Sequence, residues 1–216
     1  PRKPTRLIPL GKHRGAVMSL AFHPKQPTIL MSGSIDSTMG IWDVKTRKLL
    51  GILKGHKSWV NAMVFSPDGK QLYSASSDGT VNVWDFEKRK VIKTIPVTKA
   101  EVRSLDASSD GKYLAAGIRY GKVKVWKTSD WSEHLSFQAH GGDVWALKFA
   151  PDAKSFATGN GDWNRPGLVK LWDVATGKLM RKLQHTGEVL CLSFSKKGDY
   201  LAAGGGDDSV LVWSLK

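Results

Sequence analysis

The chain has 216 residues, 41% of them hydrophobic, but the apolar residues come in runs of four to six, far short of the roughly 20 that span a bilayer. Lys and Arg outnumber Asp and Glu by 33 to 19. The resulting formal charge of +14 suits either an acidic partner or a surface made soluble by exposed lysines. The single cysteine, Cys191, excludes an internal disulfide framework and fits an intracellular setting, cytoplasmic or nuclear. Its phrase VLCLSF alternates like a strand, which predicts a buried, inert thiol. The opening PRKPTRL is basic and has no signal-peptide pattern, and Pro in the first position leads one to expect a processed chain or part of a longer one.

The first predicted element, RLIPL (6–10), reads as a short strand with no partner before it. Five similar units follow. The first (about 11–53) contains AVMSLAF (16–22), TILMSGS (28–34), a strand running up to Trp42, and KLLGIL (48–53). The second (about 54–95) repeats this order with WVNAMVF (59–65), QLYSASS (71–77), a strand ending at Trp84, and KVIKTI (90–95). The third (about 96–137) has EVRSLDA (101–107), YLAAG, Trp126 and HLSF, and the fourth (about 138–183) DVWALKF (143–149), SFATG, Trp172 and KLMRKL. The fifth (about 184–216) supplies EVLCLSF (188–194), YLAAGG and a strand to Trp213, with no fourth strand after it. Alternation of period two marks these segments as strands, and the turns FHPKQP, FSPDGK, ASSDGK, FAPDAK and FSKKGD carry the Pro, Asp and Gly that reverse a chain tightly.

The periodic tryptophans lie 42, 42, 46 and 41 residues apart. A repeat of this length built from four short strands predicts an all-β propeller of four-stranded antiparallel blades. The segment 6–10 has the phase to serve as the missing fourth strand of the last blade, a latch that would remove an open edge.

These phrases, over essentially the whole chain, resemble the WD-repeat family. The resemblance implies a buried network of a His before the first strand, a Ser or Thr in the second, an Asp in the turn after it, and the Trp. The matching residues are His13, Ser32, Asp36 and Trp42 in the first repeat and His56, Ser74, Asp78 and Trp84 in the second. The fourth supplies His140, Thr158, Asp162 and Trp172, with an insertion between the last two. The fifth keeps His185, Asp207 and Trp213 but has Ala203 at the hydroxyl position, and the third has Thr98, Ala116 and Tyr120 in place of His, Ser and Asp. Such propellers usually close with seven blades. Five can close on themselves or form part of a larger ring, and an incomplete ring open to self-association is the favoured expectation.

A Ser, His and Asp in one unit invite a catalytic-triad reading, but the trio recurs, and recurrence assigns it to structure. The six histidines are scattered with no zinc-ligand spacing, and GGGDDS (204–209) lacks the lysine of a phosphate loop. No enzyme activity, metal or cofactor is expected.

Four tryptophans break the period: Trp59, Trp131, Trp145 and Trp163. Where the second repeat has Trp59 the others carry Ala16, Glu101, Asp143 and Glu188, so the fold does not demand an aromatic there. Strand order puts Trp59, Trp145 and Trp163 at one end of the blades, called the top, where the chain enters first strands and leaves second strands. Trp and Arg dominate binding hot spots. The expected partner site therefore comprises Trp59, Arg103, Arg119, Tyr120, Trp145, Trp163 and Arg165, taking a peptide or protein; the alternative is that these rings only cover blade ends. The opposite turns carry Lys25, Lys70, Lys112, Lys154, Lys196 and Lys197, and the start of the chain Arg2, Lys3, Arg6, Lys12 and Arg14. That basic side keeps open a second role in a ribonucleoprotein or other polyanion-containing assembly. A propeller appended to a catalytic domain outside this segment is a third.

Overall fold

The computed structural model describes residues 9–161 and 166–216. The first sheet contains β1 (Val17–Phe22), β2 (Ile29–Ser34), β3 (Thr38–Asp43) and β4 (Lys48–Lys54). The second contains β5 (Val60–Phe65), β6 (Gln71–Ser76), β7 (Thr80–Asp85) and β8 (Lys90–Pro96). The third holds β9 (Val102–Ala107), β10 (Tyr113–Ile118), β11 (Lys122–Lys127) and β12 (Glu133–Gln138). The fourth holds β13 (Asp143–Phe149), β14 (Ser155–Gly161), β15 (Leu168–Asp173) and β16 (Leu179–Gln184), and the fifth β17 (Val189–Phe194), β18 (Tyr200–Gly205) and β19 (Val210–Ser214). Each sheet is a meander in which consecutive strands pair antiparallel. The five expected blades are all present, and no α-helix occurs among the described residues.

First strands stand side by side, β1 against β5, β5 against β9, β9 against β13 and β13 against β17. The strand alternation therefore gives every blade one face toward its predecessor and one toward its successor. Four apolar clusters result, one per junction. In the first, Met31, Met39 and Ile41 of blade one meet Val60, Met63, Phe65, Leu72 and Trp84 of blade two. The remaining three join blades two and three, three and four, and four and five. At three of the junctions the leading Val of one first strand presses on a glycine in the previous second strand. A Cβ added at Gly33, Gly117 or Gly159 would collide with Val60, Val144 or Val189, so only a side chain of hydrogen fits. Between blades three and four a charge reinforces the contact: buried Asp106 accepts from Lys148 Nζ at 2.7 Å and from the Phe149 amide at 2.8 Å.

Two expectations need correction or restriction. Cys191 is exposed, not buried, because it lies on the face of the fifth sheet that no further blade covers among the described residues. For the latch, residues 6–8 lie outside the described residues, Pro9 and Leu10 are not in a strand, and β19 pairs with β18 alone among those described.

The buried polar network forms as the resemblance implied in the first two blades. His56 Nδ1 bonds Asp78 Oδ2 at 3.0 Å and His56 Nε2 bonds Ser74 Oγ at 2.7 Å, while Trp84 Nε1 donates to the same hydroxyl at 2.8 Å. His13, Ser32, Asp36 and Trp42 repeat this geometry with distances of 3.0, 2.7 and 2.7 Å. In the fourth blade His140 and Trp172 both reach Thr158 Oγ1, at 2.7 and 2.8 Å, and Asp162 lies outside the described residues. Burial, with Lys170 adding to it, lowers the His140 pKa to about 3 and keeps the ring neutral. The fifth blade departs from the pattern. Lacking a hydroxyl at Ala203, His185 turns Nδ1 to Gly187, its Nε2 stays buried without a partner among the described residues, and Asp207 accepts instead from Ser209. The His185 and Trp213 rings nevertheless stand 6.4 Å apart, close to the 6.2 Å between His13 and Trp42, where Ser32 bridges the gap.

Removing the shared hydroxyl with Ser74→Ala orphans two buried groups and should cost about 3 kcal/mol in urea unfolding. Supplying the missing one with Ala203→Ser should instead raise stability by about 1 kcal/mol. Lower stability in the Ala203→Ser variant would show that the fifth pocket cannot seat the hydroxyl.

Burial pushes the Asp78 carboxyl up, but bonds from His56, Thr80 and the Lys57 amide outweigh it and hold the group well below the ordinary carboxylate range. The same balance holds for Asp36, with Thr38, Arg14 and His13 as donors. A carboxylate depressed on folding stabilises fully above its unfolded pKa, near 3.9, and loses that contribution as the pH falls below it. Melting temperature should therefore drop steeply below about pH 4. Asp78→Asn should cost about 2 kcal/mol at pH 7 and flatten the acid limb of the profile; an acid limb unchanged in this variant would assign the loss to other groups.

Candidate functional site

Every first strand carries a β-bulge at the same place, and its extra residue is Met18, Asn61, Arg103, Trp145 or Leu190. A bulge re-aims one side chain out of the pleat, and in blades two and three it delivers that side chain toward the next blade near the top. The Asn61 amide nitrogen donates to the Val102 carbonyl at 2.8 Å, and the Arg103 guanidinium lies over the Trp145 ring, 4.3 Å from its centre. Two of the site residues expected from the sequence thus meet each other.

Arg103 is held tightly. Its Nη1 pairs with Glu101 at 2.8 Å and its Nη2 with Asp143 at 3.5 Å, and its side chain is largely covered. Glu101 also receives Arg119 Nη1 at 2.9 Å and the Ser77 hydroxyl at 3.2 Å. Asp143 accepts the Tyr120 amide at 2.8 Å. Two carboxylates and two arginines therefore lock blades two, three and four together at the top, and Ser77 links the lock to Trp59 by donating its amide to the Trp59 carbonyl at 2.9 Å. A covered cluster of this kind is weak evidence for added stability, because desolvating the charges offsets much of their attraction.

The outward face of this lock is aromatic. Tyr120 is 64% exposed and has the Arg119 guanidinium 5.0 Å from its ring centre. Its backbone is left-handed, with φ 67° and ψ 22°, a conformation that Asp36 and Asp78 avoid at the same position and that a bulky residue adopts at a cost of about 1–2 kcal/mol. The Asp143 carboxylate on its amide and the Gln138 side chain on its carbonyl hold it there. Trp59 is 46% exposed, and Trp145 is half-buried beneath Arg103. Trp163 and Arg165 lie outside the described residues. Trp131 belongs elsewhere, packed edge-on against Tyr73 in the apolar cluster of blades two and three.

Sequence reasoning underrated Glu101 and Asp143, which organise the site. Their signal was an acid at the start of a strand, two residues before Arg or Trp, in EVR and DVW.

The trio of Ser, His and Asp offers no accessible nucleophile in blades one and two. Ser32 and Ser74 are buried, and each hydroxyl oxygen is capped by a Trp donor. At the opposite end, Lys70, Lys112 and Lys154 each stand two residues after an acid that accepts their amide, so carboxylates offset part of that positive charge. Among the described residues no helix is long and apolar enough to cross a membrane.

The family model for the WD domain, G-beta repeat, matches residues 4–43, 47–85, 89–127, 131–173 and 177–214. MST50-interacting protein 11 of Pyricularia oryzae is 38% identical over 213 residues, covering 95% of this chain and 67% of that protein. Human WD repeat and SOCS box-containing protein 1 is 39% identical over 69 residues, and small ribosomal subunit protein RACK1y of Oryza sativa 33% identical over 84. Those two alignments span only 16% and 24% of the relatives' lengths. The likeness supports a protein-interaction scaffold in general, in a family that is generally non-catalytic. With all five repeats matched and their blades in place, the chain belongs to the WD40-repeat family.

Proposed function

We propose that this chain is a non-catalytic interaction platform that grips a peptide or protein segment across the top of blades two to four. Trp59 and Tyr120 form the contact surface, with Trp145 beside them under the Arg103 guanidinium. The observation that carries the reading is the pairing of exposure with rigidity. Neither Trp59 nor Tyr120 fills the core, yet both are anchored through backbone bonds to a lock of Arg103, Arg119, Glu101 and Asp143. Rings carried on a fixed backbone have only two side-chain torsions to order on binding, which is part of what makes aromatic hot spots effective. The name of MST50-interacting protein 11 describes a relative that engages another protein, which agrees with this class of role.

Trp59→Ala and Tyr120→Ala should each weaken capture of a co-purifying partner by about thirtyfold, the equivalent of about 2 kcal/mol per hot-spot ring. Thermal melting should move by no more than a few degrees, since both rings are exposed. Undiminished capture would remove these residues from the interface, and unfolding of the variants would make them part of the scaffold instead.

A further inference from the structure

At the end of the blades opposite the top, a seam runs outward along each junction, and two positions decide whether it is filled. The first lies on the fourth strand of the leading blade, opposite the residue before the periodic Trp: Gly51, Lys93 and Leu135 in blades one, two and three. The second lies five residues after the Trp of the following blade, in a turn that holds it left-handed: Arg89 (φ 55°), Trp131 (φ 64°) and Gly177 (φ 68°). Between blades two and three Trp131 fills the seam and packs edge-on against Tyr73, with 5.7 Å between ring centres. Between blades three and four Leu135 fills it, packed against the apolar cluster and so near Gly177 that a Cβ added there would stand 3.1 Å from it. Between blades one and two neither position supplies an apolar side chain. Gly51 contributes none, and Arg89 spans the seam, its Nη1 donating to the Leu50 carbonyl at 2.9 Å.

The result is a groove of about 770 Å³, against about 360 Å³ for its counterpart between blades two and three. Ile29 and Ile41, both buried, form its floor; Leu50, 39% exposed, and Ile92, 53% exposed, form its outer rims. It runs from the β1–β2 and β5–β6 turns out to β4 and β8. Four strands at about 4.8 Å spacing make that path about 14 Å long, room for about four extended residues.

Charge around the groove is unevenly compensated. Asp68 accepts from the Ser66 hydroxyl at 2.6 Å and from the Lys70 amide at 3.0 Å. Asp85 accepts the Lys88 amide at 2.9 Å and pairs with Lys88 Nζ at 3.3 Å. Lys25, Lys70 and Arg89 also line the groove, are exposed, and form no ion pair among the described residues. Against these three cations stands Glu87, the one lining acid whose carboxylate has no hydrogen bond among the described residues. The Arg89 guanidinium, a fork of several N–H donors, uses a single one, on a neutral carbonyl.

We infer that this groove is a second binding site, for an extended acidic peptide segment with Leu- or Ile-sized side chains at alternate positions. The apolar side chains enter between Leu50 and Ile92 and cover Ile41 and Ile29. A carboxylate beside them pairs with Arg89, which thereby exchanges a neutral acceptor for a charged one. Lys25 and Lys70, on the inner turns, meet further acids. Apolar burial supplies the contact, while the cations select an acidic partner. The site does not rest on the aromatic surface at the top, from which it is separated by the length of the strands.

The probe is the fluorescein-labelled hexapeptide Asp-Glu-Leu-Glu-Ile-Asp, titrated with the 216-residue chain and read by fluorescence anisotropy at low salt. Saturable binding should appear below about 1 mM. Gly51→Leu should weaken it about tenfold by filling the seam as Leu135 does. The new Cβ first meets Arg89 Nη1, at 2.9 Å, the far end of a flexible side chain that can move aside. Ile92→Asp, at an exposed position that the fold does not need, should cause a loss of about the same size and serves if Gly51→Leu melts early. Arg89→Gln should weaken binding about fivefold and flatten its salt dependence. Trp59→Ala should leave the peptide affinity unchanged, which separates this site from the surface at the top. No saturation up to about 1 mM would remove the site. Equal affinity for a peptide with Ser in place of Leu and Ile would reduce the contact to charge alone. Loss of binding in Trp59→Ala would put the peptide on the top surface, and unchanged affinity in both Gly51→Leu and Ile92→Asp would put it outside the groove.

Discussion

The close approach of neighbouring blades is the constraint on which the rest of this molecule depends. A single four-stranded sheet buries neither of its faces, and here each face is buried only by the sheet beside it. That contact tolerates almost no variation at its centre, because a Val methyl occupies the space where a Cβ at Gly33, Gly117 or Gly159 would stand. Around this point larger side chains interchange freely: Met31 and Met39 at the first junction correspond to Ala157 and Val169 at the fourth. Apolar character is kept while the distribution of volume shifts, as expected of a core that must fill space without strain.

The polar networks serve that packing. In blades two and four the periodic Trp lies against the preceding blade, and in blades one, two and four a shared hydroxyl accepts from its buried indole N–H. In the first two blades a His relays the demand to an Asp at the top turn, which in turn accepts the amides that shape the turn. The third blade does without this arrangement. Its Trp126 is buried among apolar residues, and the position of the turn Asp is released to Tyr120, which faces solvent. Loss of the structural network and gain of an exposed aromatic are the same substitution.

Much of this was legible in the chain. The tryptophan period, the alternating strands and the turn residues identified the antiparallel strands and the five blades, because they reflect local rules of strand and turn chemistry. The network residues of blades one and two were equally legible, since each is set by its place in the repeat. What escaped detection depends on neighbours distant in sequence. Cys191 alternates like a core residue, but whether its face is covered is decided by another blade and not by its own strand. Arg103 reads as a free binding arginine, whereas Glu101 and Asp143 engage it, the latter 40 residues away. The residue at Ala203 showed the missing hydroxyl but not that His185 would turn to Gly187 as a result.

Each apolar cluster among the described residues joins two consecutive blades, so stability here is in good part a sum of nearest-neighbour terms. Blade three, which carries Glu101, Arg103 and Tyr120, is packed on both of its faces, against blade two and against blade four. The surface offered to a partner therefore rests on a blade that cannot open without breaking two junctions at once.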